Sequence, residues 1–471
     1  PAIEKVIVFD WKGLRGLKHD KVMPIERLYT LGQEFGRENE GLVESIVEKS
    51  APDDLAVLIY TSGTTGMPKG SMIPQRYLMF QTSVMVDFDI SDSDETLTYL
   101  PLCHLAERVF SLCLPIAFGN IINFAESPET VGRDFQELSP TLIMAVPRVW
   151  EKFYSRITTA MSEATWFGRK SYELGMRIST ARAEKLIDGK QPNWIDKLSY
   201  KLADLLVFKN IKELLGLNRA RFLATGAAPV STSLLKWYLI IGLPITELYG
   251  QTETGIVTIT RQNRLRHGTV GEAIPPVEVK IDEHGEILVR HEYQFDGYLN
   301  LPEKTRETVV DGWIHTGDVG KIDENGQLHI TDRMKDIIIT AGGKNVTPSL
   351  FENELKFSPY VSDAVVIGDK RKYLTCLIMI DKENVEHHAQ THSIPFTDYR
   401  SLCARPEVVE LIGEEIKAIN ASFSSVEQIK KYRLIDILLT AEDEELTPTM
   451  KLKRSYVSNK YNELIESMYD G

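Results

Sequence analysis

Short runs of β-branched and other apolar residues recur along the chain, each closed by Gly, Pro or a polar cluster. They are KVIVFD at 5–10, LAVLIYTSG at 55–63, TLIMAVPR at 141–148, RFLATGAAP at 221–229 and PITELYGQTE at 244–253. Helix-period stretches lie between them, and this alternation predicts an α/β fold of layered sheets with ligands gathered on the loops after strands. The uncharged run 109–125 contains Pro115, Gly119, Asn120 and Asn123, so it is expected to be a buried core segment rather than a membrane span. Residues 147–216 read as a long helical insertion. From 277 the pattern turns to hairpins: VEVKIDEHGEILVR turns at Glu283–Gly285, and GKIDENGQLHITDR at Asn325–Gly326, forming a hairpin-rich β subdomain. A small α+β segment follows, with a strand at 336–340, a helix from Pro348, a strand pair within 363–380 and terminal helices. The boundary is expected near Arg333–Lys335, which divides the chain into 1–332 and a smaller lobe 333–471.

Charge narrows the partners. With 54 Lys and Arg against 67 Asp and Glu in 471 residues, the net charge of −13 argues against a general nucleic-acid binder. Four cysteines (Cys103, Cys113, Cys376, Cys403) in no CxxC spacing suit neither a disulfide framework nor a zinc knuckle and fit a reducing cytoplasm. The opening PAIEKVIVFD has neither the basic region nor the cleavage site of a signal peptide. Within 147–216 the balance reverses, with basic residues outnumbering acidic ones among many aromatics. Two readings of that stretch stay open: a solvated helical hairpin packed on the core, or a patch for peripheral contact with the inner membrane face.

Chemistry concentrates in the loop YTSGTTGMPKG, 60–70, directly after an apolar run. Gly63, Gly66 and Gly70 permit tight turning and close approach to a phosphate. Consecutive N–H groups then form an anion nest, to which Thr61, Ser62, Thr64 and Thr65 add hydroxyls and Lys69 a point charge. The GxxxxGK[ST] spacing of a Walker loop is absent.

This loop resembles the phosphate loop of the adenylate-forming superfamily, which includes acyl- and aryl-CoA synthetases, peptide-synthetase adenylation domains and luciferases. Five further motifs follow in that family's order. TGAAP at 225–229 resembles the adenine-side loop, and YGQTE at 249–253 the segment that stacks on adenine and supplies a Mg²⁺ carboxylate. GWIHTGD at 312–318 resembles the loop whose aspartate holds the ribose hydroxyls, DRMKD at 332–336 the hinge, and PTMKLKR at 448–454 the loop of the catalytic lysine. TYLPLCHLAER, 98–108, resembles the long-chain fatty acyl-CoA synthetases, whose motif carries His followed by Glu-Arg, and the long insertion is also similar to that branch.

The resemblance implies ATP-dependent ligation of a long-chain fatty acid to coenzyme A through an acyl-adenylate, releasing AMP and pyrophosphate, with Mg²⁺ as cofactor. It assigns catalysis to Lys451, Glu253, Thr65 and His104. It assigns nucleotide and CoA contacts to Thr61, Ser62, Gly63, Thr64, Thr65, Gly66, Lys69, Gly226, Ala227, Ala228, Glu247, Leu248, Tyr249, Gly250, Thr252, Asp318, Arg333, Lys335, Gly342 and Gly343, and the metal to Thr61 and Glu253. His104 reads equally as a wall of the acyl site or as a helix cap. The family carries a further domain-sized stretch before the phosphate loop, whereas here about sixty residues precede it, so the large region is expected to be truncated at its start. Alternatives are an aryl- or carrier-protein-acylating ligase, a non-catalytic nucleotide-binding fragment, and an ATPase or kinase releasing ADP. Acyl chain length and a homodimer stay open.

Overall fold

The longest sheet sets the frame for everything that follows. In this computed structural model, which describes residues 3–14, 16–61, 68–127, 130–261, 264–439, 445 and 453–470, its spatial order is Glu272–Ala273, Gly255–Ile259, Thr246–Gln251, Phe222–Thr225, Leu142–Ala145, Glu95–Thr98 and Ile121–Phe124. The last five run parallel, and helices alternate with them along the chain. Loops at the carboxyl ends of parallel strands therefore collect at one edge, where open α/β sheets hold ligands. The mixed α/β architecture agrees with the expected class.

Residues 1–54 and 55–471 form separate units. In the first, Val6–Val8 pairs in parallel with Val22–Pro24, and the helices Ile25–Glu38 and Leu42–Lys49 hold no fully buried side chain.

In the second, Leu55–Thr61 and Lys69–Pro74 form an antiparallel hairpin. A five-stranded sheet carries both expected hairpins, Glu278–Ile281 with Glu286–Arg290 and Trp313–Ile322 with Leu328–Arg333. The second turn is longer than an Asn-Gly pair requires. Asp323 Oδ1 accepts from the backbone N–H groups of Asn325 (2.8 Å) and Gln327 (3.0 Å), so a five-residue loop, 323–327, is organised around that carboxylate. The strand expected at 336–340 contracts to Ile338–Ile339. Asp336 and Ile337 turn their N–H groups back onto the Arg333 carbonyl instead.

The run 109–125 is only half buried. It forms helix over 109–118 and then the edge strand Ile121–Phe124; Val109, Phe110 and Leu114 are buried while Ile116 and Phe124 are exposed. A one-faced helix followed by an edge strand leaves alternate apolar positions outside. The insertion is helical as expected: Pro147–Glu163, Trp166–Ile187, Trp194–Ala203 and Lys209–Leu215. Trp150, Ile157, Phe208 and Leu215 anchor it in a core shared with Tyr238.

Beyond residue 338 a three-stranded sheet, Val361–Ile367, Leu374–Ile380 and Ile429–Leu434, packs with the helices Pro348–Lys356 and Pro406–Asn420 around its own core of Leu355, Cys376 and Ile412. This part meets the insertion: Tyr154 stacks on Phe357 at 4.5 Å, Arg148 donates to Ser362, and Thr159 donates to Asn384 Oδ1 at 2.6 Å. Among the described residues no helix is long and apolar enough to cross a membrane.

Candidate active site

The strand Thr246–Gln251 and the turn after it organise the site. Gly250 pairs with Ile256 across the tight return, and a Cβ on it would stand 1.8 Å from the Gly255 carbonyl oxygen, so only glycine fits. Glu247, Tyr249 and Gln251 share one face of the strand.

Two of those three side chains converge on Asp318. Tyr249 Oη donates to Asp318 Oδ2 at 2.9 Å and Gln251 Nε2 donates to the same oxygen at 2.7 Å. Arg333 Nε lies 3.3 Å from Oδ1, its strand paired in register with that of Asp318. Asp318 is only 5% exposed, and a buried carboxylate needs such partners. Burial, together with the Asp318 charge, raises the Tyr249 phenol well above its ordinary value, so it remains a donor. The expected ribose-binding aspartate and hinge arginine are therefore in contact. Gln251, which motif reasoning passed over, helps fix the carboxylate.

A second cluster forms at the other end of the same segment. Tyr298 Oη donates to Glu253 Oε1 at 2.6 Å, and Lys69 Nζ sits 4.6 Å from the centre of the Tyr298 ring. Backbone bonds hold the pieces together: Leu299 N–H donates to the Gly70 carbonyl, Phe295 N–H to the Glu253 carbonyl, and Tyr77 Oη to the Thr252 carbonyl. Burial and the Glu253 charge push the Tyr298 phenol up, which keeps its proton. Tyr298 joins the lysine after the phosphate loop to the expected metal ligand. It is a residue that sequence reasoning missed, because one Tyr after a Gly carries no signal of its own. Glu253 keeps its second oxygen without a hydrogen bond among the described residues. A carboxylate oxygen of this kind suits Mg²⁺, which takes few protein ligands alongside phosphate oxygens and water.

Thr61 pairs in register with Lys69 across the hairpin; Ser62, Gly63, Thr64, Thr65 and Gly66, between them, lie outside the described residues. The expected adenine-side loop leaves the strand Phe222–Thr225, whose Thr225 pairs with Glu247. A Cβ on Gly226 would stand 2.9 Å from the Leu248 carbonyl oxygen, so that loop lies close against the organising strand, with Ala227 at φ +65° and Ala228 following. Burial raises Glu247 to about 8.

His104 is a cap. Its Nδ1 accepts from the Ala106 N–H at 3.3 Å at the start of Leu105–Arg108, and burial lowers its pKa. Two positions into that turn Glu107 is buried, accepts from Ser111 Oγ at 2.6 Å, and is pushed by burial up to about 7. At the expected hinge Asp332 Oδ2 accepts from the Ser349 N–H, and Lys335 is exposed. Gly342 and Gly343 are exposed in the turn between Ile338–Ile339 and Asn345–Val346. Lys451 lies outside the described residues. The described residues flanking it are tied down: Lys453 N–H donates to the Glu445 carbonyl, and Arg454 Nη2 donates to both Glu352 carboxylate oxygens, at 2.7 and 2.8 Å.

Two family models match the chain. The family model for the AMP-binding enzyme matches residues 13–299, and that for the AMP-binding enzyme C-terminal domain matches residues 335–471. Over 431 residues the chain is 36% identical to a Mycobacterium tuberculosis protein named as the fatty-acid–CoA ligase FadD11, covering 90% of this chain and 75% of that one. It is 35% identical to the Mycobacterium bovis protein named long-chain-fatty-acid–CoA ligase FadD15, covering 88% and 70%. Among solved structures, the adenylation domain of a carboxylate reductase from Mycobacterium chelonae matches with a TM-score of 0.67 at 24% identity. That match covers 89% of this chain and 61% of that one, so this chain spans about six tenths of the solved domain it matches. ATP-bound MatB from Rhodopseudomonas palustris matches with a TM-score of 0.59 at 23% identity, covering 88% and 69%. At these identities the likeness to solved structures is one of fold.

Proposed function

Because the chain belongs to the AMP-binding enzyme family, we propose that it activates a long-chain fatty acid with ATP and transfers the acyl group to coenzyme A. The observation that carries this reading is the double junction on one strand and turn. Residues 249–253 bind Asp318 at one end and, through Tyr298, the Lys69 side of the phosphate loop at the other. A nucleotide lying along that segment would meet a carboxylate for its ribose and a basic, hydroxyl-rich loop for its phosphates.

In the first half-reaction the acid's carboxylate oxygen attacks the α-phosphorus and pyrophosphate leaves. Charge builds on phosphate oxygens, so positioning and electrostatic stabilisation carry the catalysis. The loop 61–66 supplies N–H and hydroxyl donors and Lys69 a fixed positive charge. Tyr298 holds Glu253 in place, and Glu253 with Thr61 would hold Mg²⁺, whose charge neutralises the phosphates when it is bound. Lys451 acts on the α-phosphate and carboxylate oxygens. Tyr249, Gln251 and Arg333 present Asp318 to the ribose, and Gly226, Ala227, Ala228 and Leu248 bound the adenine. In the second half-reaction the lobe 333–471 turns about Lys335, withdraws Lys451 and brings Gly342 and Gly343 to the incoming CoA, whose thiol attacks the acyl carbonyl and expels AMP. His104 forms part of the acyl wall through the short helix it caps.

The names of the ligase relatives favour an aliphatic acid over an aryl one. Exchange of labelled pyrophosphate into ATP, measured across C4 to C20 acids and benzoate, tests the reading. Exchange should depend on the acid and be strongest with the long chains. Strongest exchange with benzoate or short acids would make this an acyl-activating ligase of another kind, and ATP binding without exchange would make it a nucleotide-binding scaffold.

A further inference from the structure

The continuous helical segment 194–215 buries one face and exposes another that is almost wholly apolar. Phe208, Ile211 and Leu215 pack inward, while Trp194, Ile195, Leu198, Leu202, Leu205 and Leu206 are all more than half exposed, Trp194 at 73% and Leu205 at 70%. At about 100° per residue those six positions fall within roughly one third of the helix circumference and extend over about 18 Å. A soluble protein seldom presents so large a run of apolar side chains without using it.

We propose that this face is a docking surface for an anionic lipid bilayer, on which the segment lies parallel to the membrane plane. Charge supports that occupant. Between 166 and 214 ten Lys and Arg stand against six Asp and Glu, in a chain of net charge −13. Two acidic residues of the helix are turned to lysines of the insertion, Asp196 to Lys185 and Asp204 to Lys212, each at 2.6 Å, and the third, Glu213, lies beyond the apolar stripe with Lys209 at 3.9 Å. Lys197 and Lys201, one turn apart beside the apolar stripe, are exposed and form no ion pair among the described residues. The neighbouring helix Trp166–Ile187 packs its Gly175 against Phe208 and Ala203, and it begins with the exposed pair Trp166 and Phe167, their rings edge to face at 4.9 Å. Tryptophan and leucine on the apolar face, lysine along its border and, among the described residues, no helix fit to span are what an interfacial helix requires. A second copy of the chain would instead have to offer acidic groups opposite Lys197 and Lys201. The inference stands independently of which acid is activated.

Co-sedimentation of the 471-residue chain with vesicles of mixed phosphatidylglycerol and phosphatidylcholine, and with vesicles of phosphatidylcholine alone, tests it. The chain should partition onto the anionic vesicles, and rising salt should weaken that binding. The double substitution W194A/L205A should lower partitioning at least about tenfold, and K197E/K201E should lower it by a similar factor at low salt and far less at high salt. All substituted positions are exposed, and unchanged circular dichroism and thermal unfolding confirm folding. Failure of the unaltered chain to bind anionic vesicles would overturn the proposal, as would equal binding to both vesicle types or binding unaffected by W194A/L205A. A dimer by sedimentation equilibrium that W194A/L205A converts to monomer, without vesicle binding, would overturn it by assigning the face to a second copy.

Discussion

Tyr298 does two things through one side chain: its hydroxyl holds Glu253 and its ring lies under Lys69. Tyr298→Phe keeps the ring and removes the donor. Losing one hydrogen bond to a charged acceptor is worth about 1.5–3 kcal/mol, so acid-dependent pyrophosphate exchange should fall by tenfold or more and need more Mg²⁺ for half-maximal rate. A magnesium titration of the variant checks this. Glu107 governs a different response. Burial lifts its folded pKa from the ordinary carboxylate range to about 7, so the folded state holds a proton that the unfolded state releases. Stability is then fully present below the unfolded value and declines as pH rises through the window from about 4.5 to about 7. Glu107→Gln should flatten that decline, by on the order of 2–3 kcal/mol between pH 4.5 and 8, as read from urea unfolding at several pH values. At this scale the sequence was partly transparent. Asp318, Glu253, Tyr249 and Arg333 stood out because each sits in a segment that resembles a family motif, and those motifs follow one another in the family's order. Tyr298, Gln251 and the proton on Glu107 did not, since each owes its role to neighbours brought in by folding rather than to adjacent residues.

The organising element is the strand and turn 246–255, and its geometry depends on two glycines under unequal constraint. Gly250→Ala would put a Cβ into the Gly255 carbonyl at 1.8 Å, whereas Gly226→Ala meets the Leu248 carbonyl at 2.9 Å. Backbone must move in the first case and shift only slightly in the second. Gly250→Ala should therefore cost several kcal/mol of stability and abolish nucleotide binding. Gly226→Ala should cost about 1 kcal/mol or less and chiefly weaken nucleotide affinity. Thermal unfolding with and without ATP separates the two. Apolar runs closed by Gly or Pro predicted the strands around this element because buried parallel strands leave that pattern. Two expectations failed where local hydrogen bonds took over: Asp323 enlarged a hairpin turn, and the Arg333 carbonyl captured Asp336 and Ile337 and shortened a strand. Neither competition leaves a trace in hydrophobic periodicity.

At the scale of the whole molecule, the order of the motifs mattered more than any one of them, because the proposed reaction draws on six loops from distant parts of the chain. The half-exposed run 109–125 was the least legible, since an edge strand and a one-faced helix look like core when only polarity is read. In the proposed reaction, a lobe that turns between the two half-reactions separates their chemistry. Lys451→Ala should abolish adenylate formation yet largely spare CoA transfer from preformed acyl-adenylate, measured as two separate rates; equal loss of both would remove that role from Lys451. The joining of carboxylate oxygen to phosphorus is itself open to direct observation. Incubation with a long-chain acid carrying ¹⁸O in both carboxylate oxygens, ATP, Mg²⁺ and CoA should yield AMP bearing one ¹⁸O in its phosphate, as seen by mass spectrometry. AMP without the label, or ADP as the product, would mean that no acyl-adenylate had formed.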